Sequence, residues 1–173
     1  LDDCTTGERQ FRPITDVHVG VLSTSLGGHG SSSCSPAETT RCDASPRTTN
    51  DDHGRLLSRL DIRAKESAPT YEGGGFLAWD PEAKLDPPGE PDAGALVDRL
   101  GAMIRGVGQA GCGFESQLES WYRFLVDPEP YESLSVVDGK ATPTGVDHAL
   151  LAERAAFLRP DSLLAIILLT DEN

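Results

Sequence analysis

Leu163-Leu164-Ala165-Ile166-Ile167-Leu168-Leu169 is apolar at every position, and this run constrains the chain more than any other feature. A strand with one face in water alternates apolar and polar residues; a run without a polar position suits a strand covered on both faces, as in parallel sheets flanked by helices. It falls well short of the roughly 20 residues a helix needs to cross a bilayer, so no transmembrane helix is expected.

The segments before it fit the same architecture. Val17, Val19 and Val21 recur at period two, predicting a strand from Asp16 to Thr24 with one buried face. His18 lies on the alternate face, where packing or solvent exposure is expected before metal binding. Residues 25–54, rich in Gly, Ser, Thr, Asp and Pro and containing His29 and His53, read as a long exposed loop. Gly75-Phe76-Leu77-Ala78-Trp79-Asp80, at the end of three glycines, reads as a short strand. Asp92 then caps a helix whose apolar face is Leu96, Val97, Leu100, Met103 and Ile104, with Met103 as core filler. A second helix is expected from Phe114, with Phe114, Leu118, Trp121, Tyr122 and Leu125 on its inner face, ending at Asp127-Pro128. A third spans about Val146 to Leu158 and closes at Pro160. Strands alternating with helices predict an α/β fold, an open sheet with parallel neighbours.

Fifteen basic against twenty-eight acidic residues leave a net charge of -13, which repels phosphate backbones and anionic lipid, so nucleic acid and membrane surfaces are poor partners. The 173 residues suit one domain, with a partial domain over 1–173 and missing pieces on either side expected from the abrupt ends at Leu1 and Asn173. Cys4, Cys34, Cys42 and Cys112 show no zinc-ligand spacing. A Cys34–Cys42 disulfide would restrain a stretch with little to bury, and unpaired cytosolic thiols are the alternative. Cys4 and Cys112 are left to pair with each other or with cysteines outside these residues.

In open α/β sheets, ligands collect where strands end at their carboxyl edge. Thr170-Asp171-Glu172 follows the apolar run at that place, so Asp171 and Glu172 are candidate ligands for a divalent cation. Asp171 could instead cap the turn that follows.

Together with the Val17–Thr24 strand and Gly111-Cys112-Gly113-Phe114-Glu115-Ser116-Gln117-Leu118-Glu119, the stretch from Phe157 to Asn173 resembles a von Willebrand factor type A domain of the cysteine-containing, exported variety of bacterial cell envelopes. The resemblance implies a Rossmann-like, open and mostly parallel sheet with helices on both faces, here incomplete. It also implies a cation site, usually for Mg²⁺, with Ca²⁺ or Mn²⁺ as alternatives. Three loops of that family supply the ligands: an Asp-x-Ser-x-Ser segment, a Thr before a later helix, and an Asp after a central strand. Asp171 matches the third. The second falls near Cys112 and Gly113, where there is no Thr; Glu115 could supply an oxygen instead, or serve as a first-turn acid favoured by the helix dipole. Asp-x-Ser-x-Ser is absent, which implies cation binding that is weak or lacking in these residues.

The function implied is non-catalytic binding or adhesion at an extracellular or envelope location, the cation completing its coordination with an acidic group from a partner protein or surface. Two alternatives stand beside it: a metal-dependent hydrolase using Asp171, Glu172 and Glu115 with His29 or His53 as base, and an envelope scaffold with a decayed metal site. No nucleophile elbow, zinc-protease helix or phosphate loop is present. Gly106-Val107-Gly108-Gln109-Ala110-Gly111 fits the dinucleotide pattern but follows a helix, which removes the context that gives the pattern meaning.

Overall fold

A computed structural model describes residues 13–31, 34, 50–61, 66–108 and 114–170. Strand β1 (Val17–Gly20) pairs antiparallel with β2 (Phe76–Trp79), Val17 facing Trp79 and Gly20 facing Phe76. Both strands lie within the segments that the period-two valines and the post-glycine aromatic run predict, but β1 ends at Gly20, short of the expected Thr24. Helix α1 (Ala93–Val107) begins as expected at Asp92, whose carboxylate accepts the Ala95 N–H at 2.7 Å. Such a cap satisfies one of the orphan donors of the first turn.

α1 lays Leu96, Leu100 and the fully buried Met103 against Leu77 of β2, with Ala68 and Val21 completing the cluster. At the far end of the helix, a Cβ on Gly106 would lie 1.9 Å from the Arg59 carbonyl oxygen. The helix therefore approaches that backbone to a distance only glycine permits. A second cluster is aromatic: the Phe76 ring lies 4.5 Å from His18 and 5.5 Å edge-on from Phe157, which in turn lies 5.8 Å from Phe124. His18 donates from Nδ1 to the Phe157 carbonyl at 2.8 Å, so this histidine packs, within the first of its expected roles.

Helices α2 (Gln117–Leu125) and α3 (His148–Phe157) follow the predicted order. α2 departs from expectation in two ways. It starts three residues later than Phe114, because Glu115 is drawn into a bridge with Ser25 and the Ser116 N–H donates to the Thr24 carbonyl at 3.0 Å. It is also turned: Ser120, Arg123 and Phe124 are buried, while Phe114, Leu118 and Tyr122 are exposed. Hydrogen bonding explains the rotation, since Ser120 donates to the buried Ser23 carbonyl at 2.6 Å and Arg123 donates to the His53 and Tyr131 carbonyls at 2.8 and 2.6 Å. Backbone carbonyls left outside ladders need donors, and these two side chains supply three of them.

The carbonyls of Arg123 and Phe124 at the C-terminal end of α2, and that of Asp127 just beyond it, all accept from the Arg154 guanidinium of α3. Between the two helices, β3 (Ser133–Val137) and β4 (Lys140–Thr144) form a hairpin around Asp138-Gly139, whose φ angles of 51° and 75° match the turn that follows strand twist.

The described fold is thus mixed α/β with two small antiparallel sheets. Leu163–Leu169, expected as a covered central strand, is in no strand, and its side chains face water: Leu163 is 96% and Ile167 83% exposed. A strand exists only where its backbone finds a ladder partner, and none of the described strands pairs with this run. The chain leading into it is tied back by an ion pair between Arg159 and Asp16 and a bond from Arg159 to the Asp16 carbonyl at 3.4 Å.

Candidate functional site

Of the residues expected to hold a cation, Asp171 and Glu172 lie outside the described residues, as do Cys4, Cys42 and Cys112. Glu115 is described: it is exposed, one residue before the Ser116 cap position of α2, and bridged to Ser25. Among the described residues, no three His, Cys, Asp or Glu side chains converge as a metal site. Cys34 is buried and disulfide-bonded.

Two polar assemblies organise the described loops. In the first, Asp52 receives the Arg59 guanidinium on both carboxylate oxygens, at 2.5 and 3.0 Å, and accepts the Ser23 hydroxyl at 2.5 Å. Arg59 also donates to the carbonyls of Gly106 and Val107 at 2.8 and 3.1 Å, which closes the end of α1 onto the loop. A two-pronged arginine–carboxylate contact fixes geometry as well as charge. Beside it, His29 Nε2 lies 3.0 Å from Ser116 Oγ, a contact between a base and a hydroxyl. No acid orients the far nitrogen of His29 among the described residues, so the pair lacks the third member that aligns a general base.

The second assembly lines a cavity of about 330 Å³ formed by His53, Arg55, Glu132, Val146, Asp147, His148 and Ala149. Asp147 caps α3 through the Leu150 N–H at 2.9 Å and pairs with Arg55 at 2.5 Å. Burial works to raise its pKa, but the Leu150 N–H and the Arg55 guanidinium outweigh burial and hold the carboxyl below its ordinary value. Arg123, 2% exposed, stands 3.7 Å from the same carboxylate and lies over the Tyr131 ring at 3.9 Å. Arg55 and Arg123 bring two positive charges to this lining, against the carboxylates of Asp147 and Glu132. On the other side of α3, Glu153 accepts the Leu56 N–H at 2.6 Å, and burial pushes its pKa up.

Sequence reading identifies neither assembly. Arg59 and Arg123 carry no local signal of burial, because their partners are carbonyls and carboxylates brought in from distant loops. The hairpin does leave a signal: Asp138-Gly139 between Val136-Val137 and Lys140-Ala141 is a strong short-range turn pattern.

No helix among the described residues is long and apolar enough to cross a membrane. Comparison with protein-family models, curated proteins and solved structures finds no match to this chain.

Proposed function

We propose that the chain is a non-catalytic binding domain of the von Willebrand factor type A kind. In this reading Asp171, with Glu172 and Glu115, holds a divalent cation, Mg²⁺ foremost, that completes its coordination with an acidic group of a partner protein or surface. The observation that carries the reading is the seven-residue apolar run leading directly into Thr170-Asp171-Glu172. Its frame is an open, mostly parallel, Rossmann-like sheet with Leu163–Leu169 as an interior strand, and an acid at the end of such a strand sits at the ligand-binding edge. The disulfide at Cys34 supports an extracellular or envelope location, since disulfides persist in oxidising compartments. Glu115 favours the reading by its exposure on the loop that precedes α2, where an oxygen ligand meets solvent. The hydrolase alternative draws less support, because the serine–histidine contact of His29 with Ser116 has no orienting acid among the described residues.

The test is a Mg²⁺ titration by calorimetry on residues 1–173 and on the Asp171→Ala variant. The expected dissociation constant is millimolar or weaker, in the range of the weakest oxygen-ligand sites, and the heat disappears in the variant. Micromolar affinity, a titration indifferent to the variant, or metal-dependent turnover of ester or phosphate substrates that the variant abolishes would each overturn the proposal.

A further inference from the structure

The cavity of about 330 Å³ at the start of α3 is lined by Arg55 and Glu132, opposite charges that form no ion pair with each other, and we propose that it binds a small zwitterion carrying an ammonium and a carboxylate, the class of free amino acids. Its volume lies at the small end of the ~300–1,000 Å³ typical of ligand pockets, which suits a molecule of a few heavy atoms.

Asp147 and Glu132 form the ammonium end. Asp147 is 6% exposed, and its Oδ1 accepts both the Arg55 guanidinium and the Leu150 N–H. Its Oδ2 accepts no hydrogen bond among the described residues, since the Arg123 guanidinium stands 3.7 Å away, beyond hydrogen-bond reach. A buried carboxylate oxygen without a donor is costly, and an N–H from a molecule in the cavity that Asp147 lines would satisfy it. The Glu132 carboxylate has neither a hydrogen bond nor an ion pair among the described residues. Gly145 makes room for it: with a φ of 69°, it would place a Cβ 2.6 Å from Glu132 Oε2.

Arg55 forms the carboxylate end. Its Nη2 serves Asp147, while Nε and Nη1 have no partner among the described residues and the side chain is partly exposed. Guanidinium N–H groups are strong donors to carboxylates. Net charge then selects the ligand class. Arg55 on the lining and Arg123 beside it balance Asp147 and Glu132, so a neutral zwitterion leaves the balance unchanged. A simple anion would face two carboxylates, and a simple cation two guanidiniums. The rings of His53 and His148, on the same lining, can donate to one end of the ligand or accept from the other.

The walls are fixed before anything binds. The Asp147 N–H donates to the Pro130 carbonyl at 2.7 Å, the Glu132 N–H to the Thr144 carbonyl at 3.1 Å, and Arg123 holds the His53 carbonyl. A preformed site loses little entropy on binding. The inference does not rest on the cation site, and its test contains no metal.

The full chain, labelled with ¹⁵N, is titrated at constant ionic strength with glycine, β-alanine and 4-aminobutanoate, and with propanoate and propylammonium as singly charged controls. Amide shifts of Ala149 and Leu150 report binding. At least one of the three amino acids should saturate with a dissociation constant of about a millimolar, the affinity that about six non-hydrogen atoms support, and both controls should bind at least tenfold more weakly. Glu132→Gln, an exposed and nearly isosteric change, should weaken the amino acid at least tenfold and remove its advantage over propanoate, an exchange of preference that a merely structural role for Glu132 would not produce. No saturable shift with any of the three amino acids, a singly charged control that binds as well as they do, or binding indifferent to Glu132→Gln would overturn the proposal.

Discussion

The polar assemblies of Asp52 and of Arg123 bury charged side chains and supply nearly every one of them with a partner, whereas Leu163–Leu169 carries only apolar side chains and holds them in water. Their average polarity would place them the other way round. What separates them is access to a ladder or a donor: Arg59 and Arg123 reach carbonyls that would otherwise be stranded, and the apolar run finds no strand to join among the described residues. Hydrophobicity describes what a segment would gain by burial; the surrounding backbone decides whether it is buried.

Substitutions in the two regions should therefore differ in cost by an order of magnitude. The largest effect belongs to Arg123→Ala, which strands the His53 and Tyr131 carbonyls and removes a cation from beside Asp147; a loss of about 3–5 kcal/mol is expected, read from urea unfolding. If that variant unfolds with the parent midpoint, the polar assembly is ornamental and the comparison fails. Gly106→Ala comes next, since its methyl would meet the Arg59 carbonyl at 1.9 Å. A cost of about 3 kcal/mol, the upper part of the overpacking range, is expected from the same measurement.

A pH series sharpens the contrast further. The pKa of Asp147 is lower in the folded state than in the unfolded chain, so its contribution is present above the ordinary carboxylate value and is lost as pH falls through the depressed one. Thermal midpoints of the parent should drop on acidification through and below pH ~4, and Asp147→Asn should flatten that limb while lowering the neutral-pH midpoint. An acid limb unchanged in the variant would remove Asp147 from the account. The smallest effect is expected at Ile167→Ser, within about 0.5 kcal/mol of the parent, because this side chain is already in water.

Local signals suffice for the elements whose partners lie nearby. The period-two valines of β1 and the Asp92 cap of α1 identify those elements, and Leu96, Leu100 and Met103 of the expected helix face pack inward, whereas Val97 and Ile104 of the same face are exposed. α2 shows where this stops. Its apolar stripe reads as the inner face, yet Ser120 and Arg123 turn the helix by donating to the carbonyls of Ser23, His53 and Tyr131, three groups that no sequence window containing α2 alone could rank. The apolar run misleads for a related reason, as composition marks a strand that wants cover without naming the strand that provides it. Asp171 and Glu172 are legible only through their position after that run, and they lie outside the described residues. Glu115 reads as a helical residue and stands before the helix, held by Ser25.

Arg154 reaches from α3 to the carbonyls of Arg123 and Phe124 in the last turn of α2 and to that of Asp127 just after it. A guanidinium that terminates a neighbouring helix couples the fraying of one to the melting of the other. In amide exchange the closing turn of α2 and the middle of α3 should open as one event, at a common rate, although roughly thirty residues of chain and a hairpin separate them.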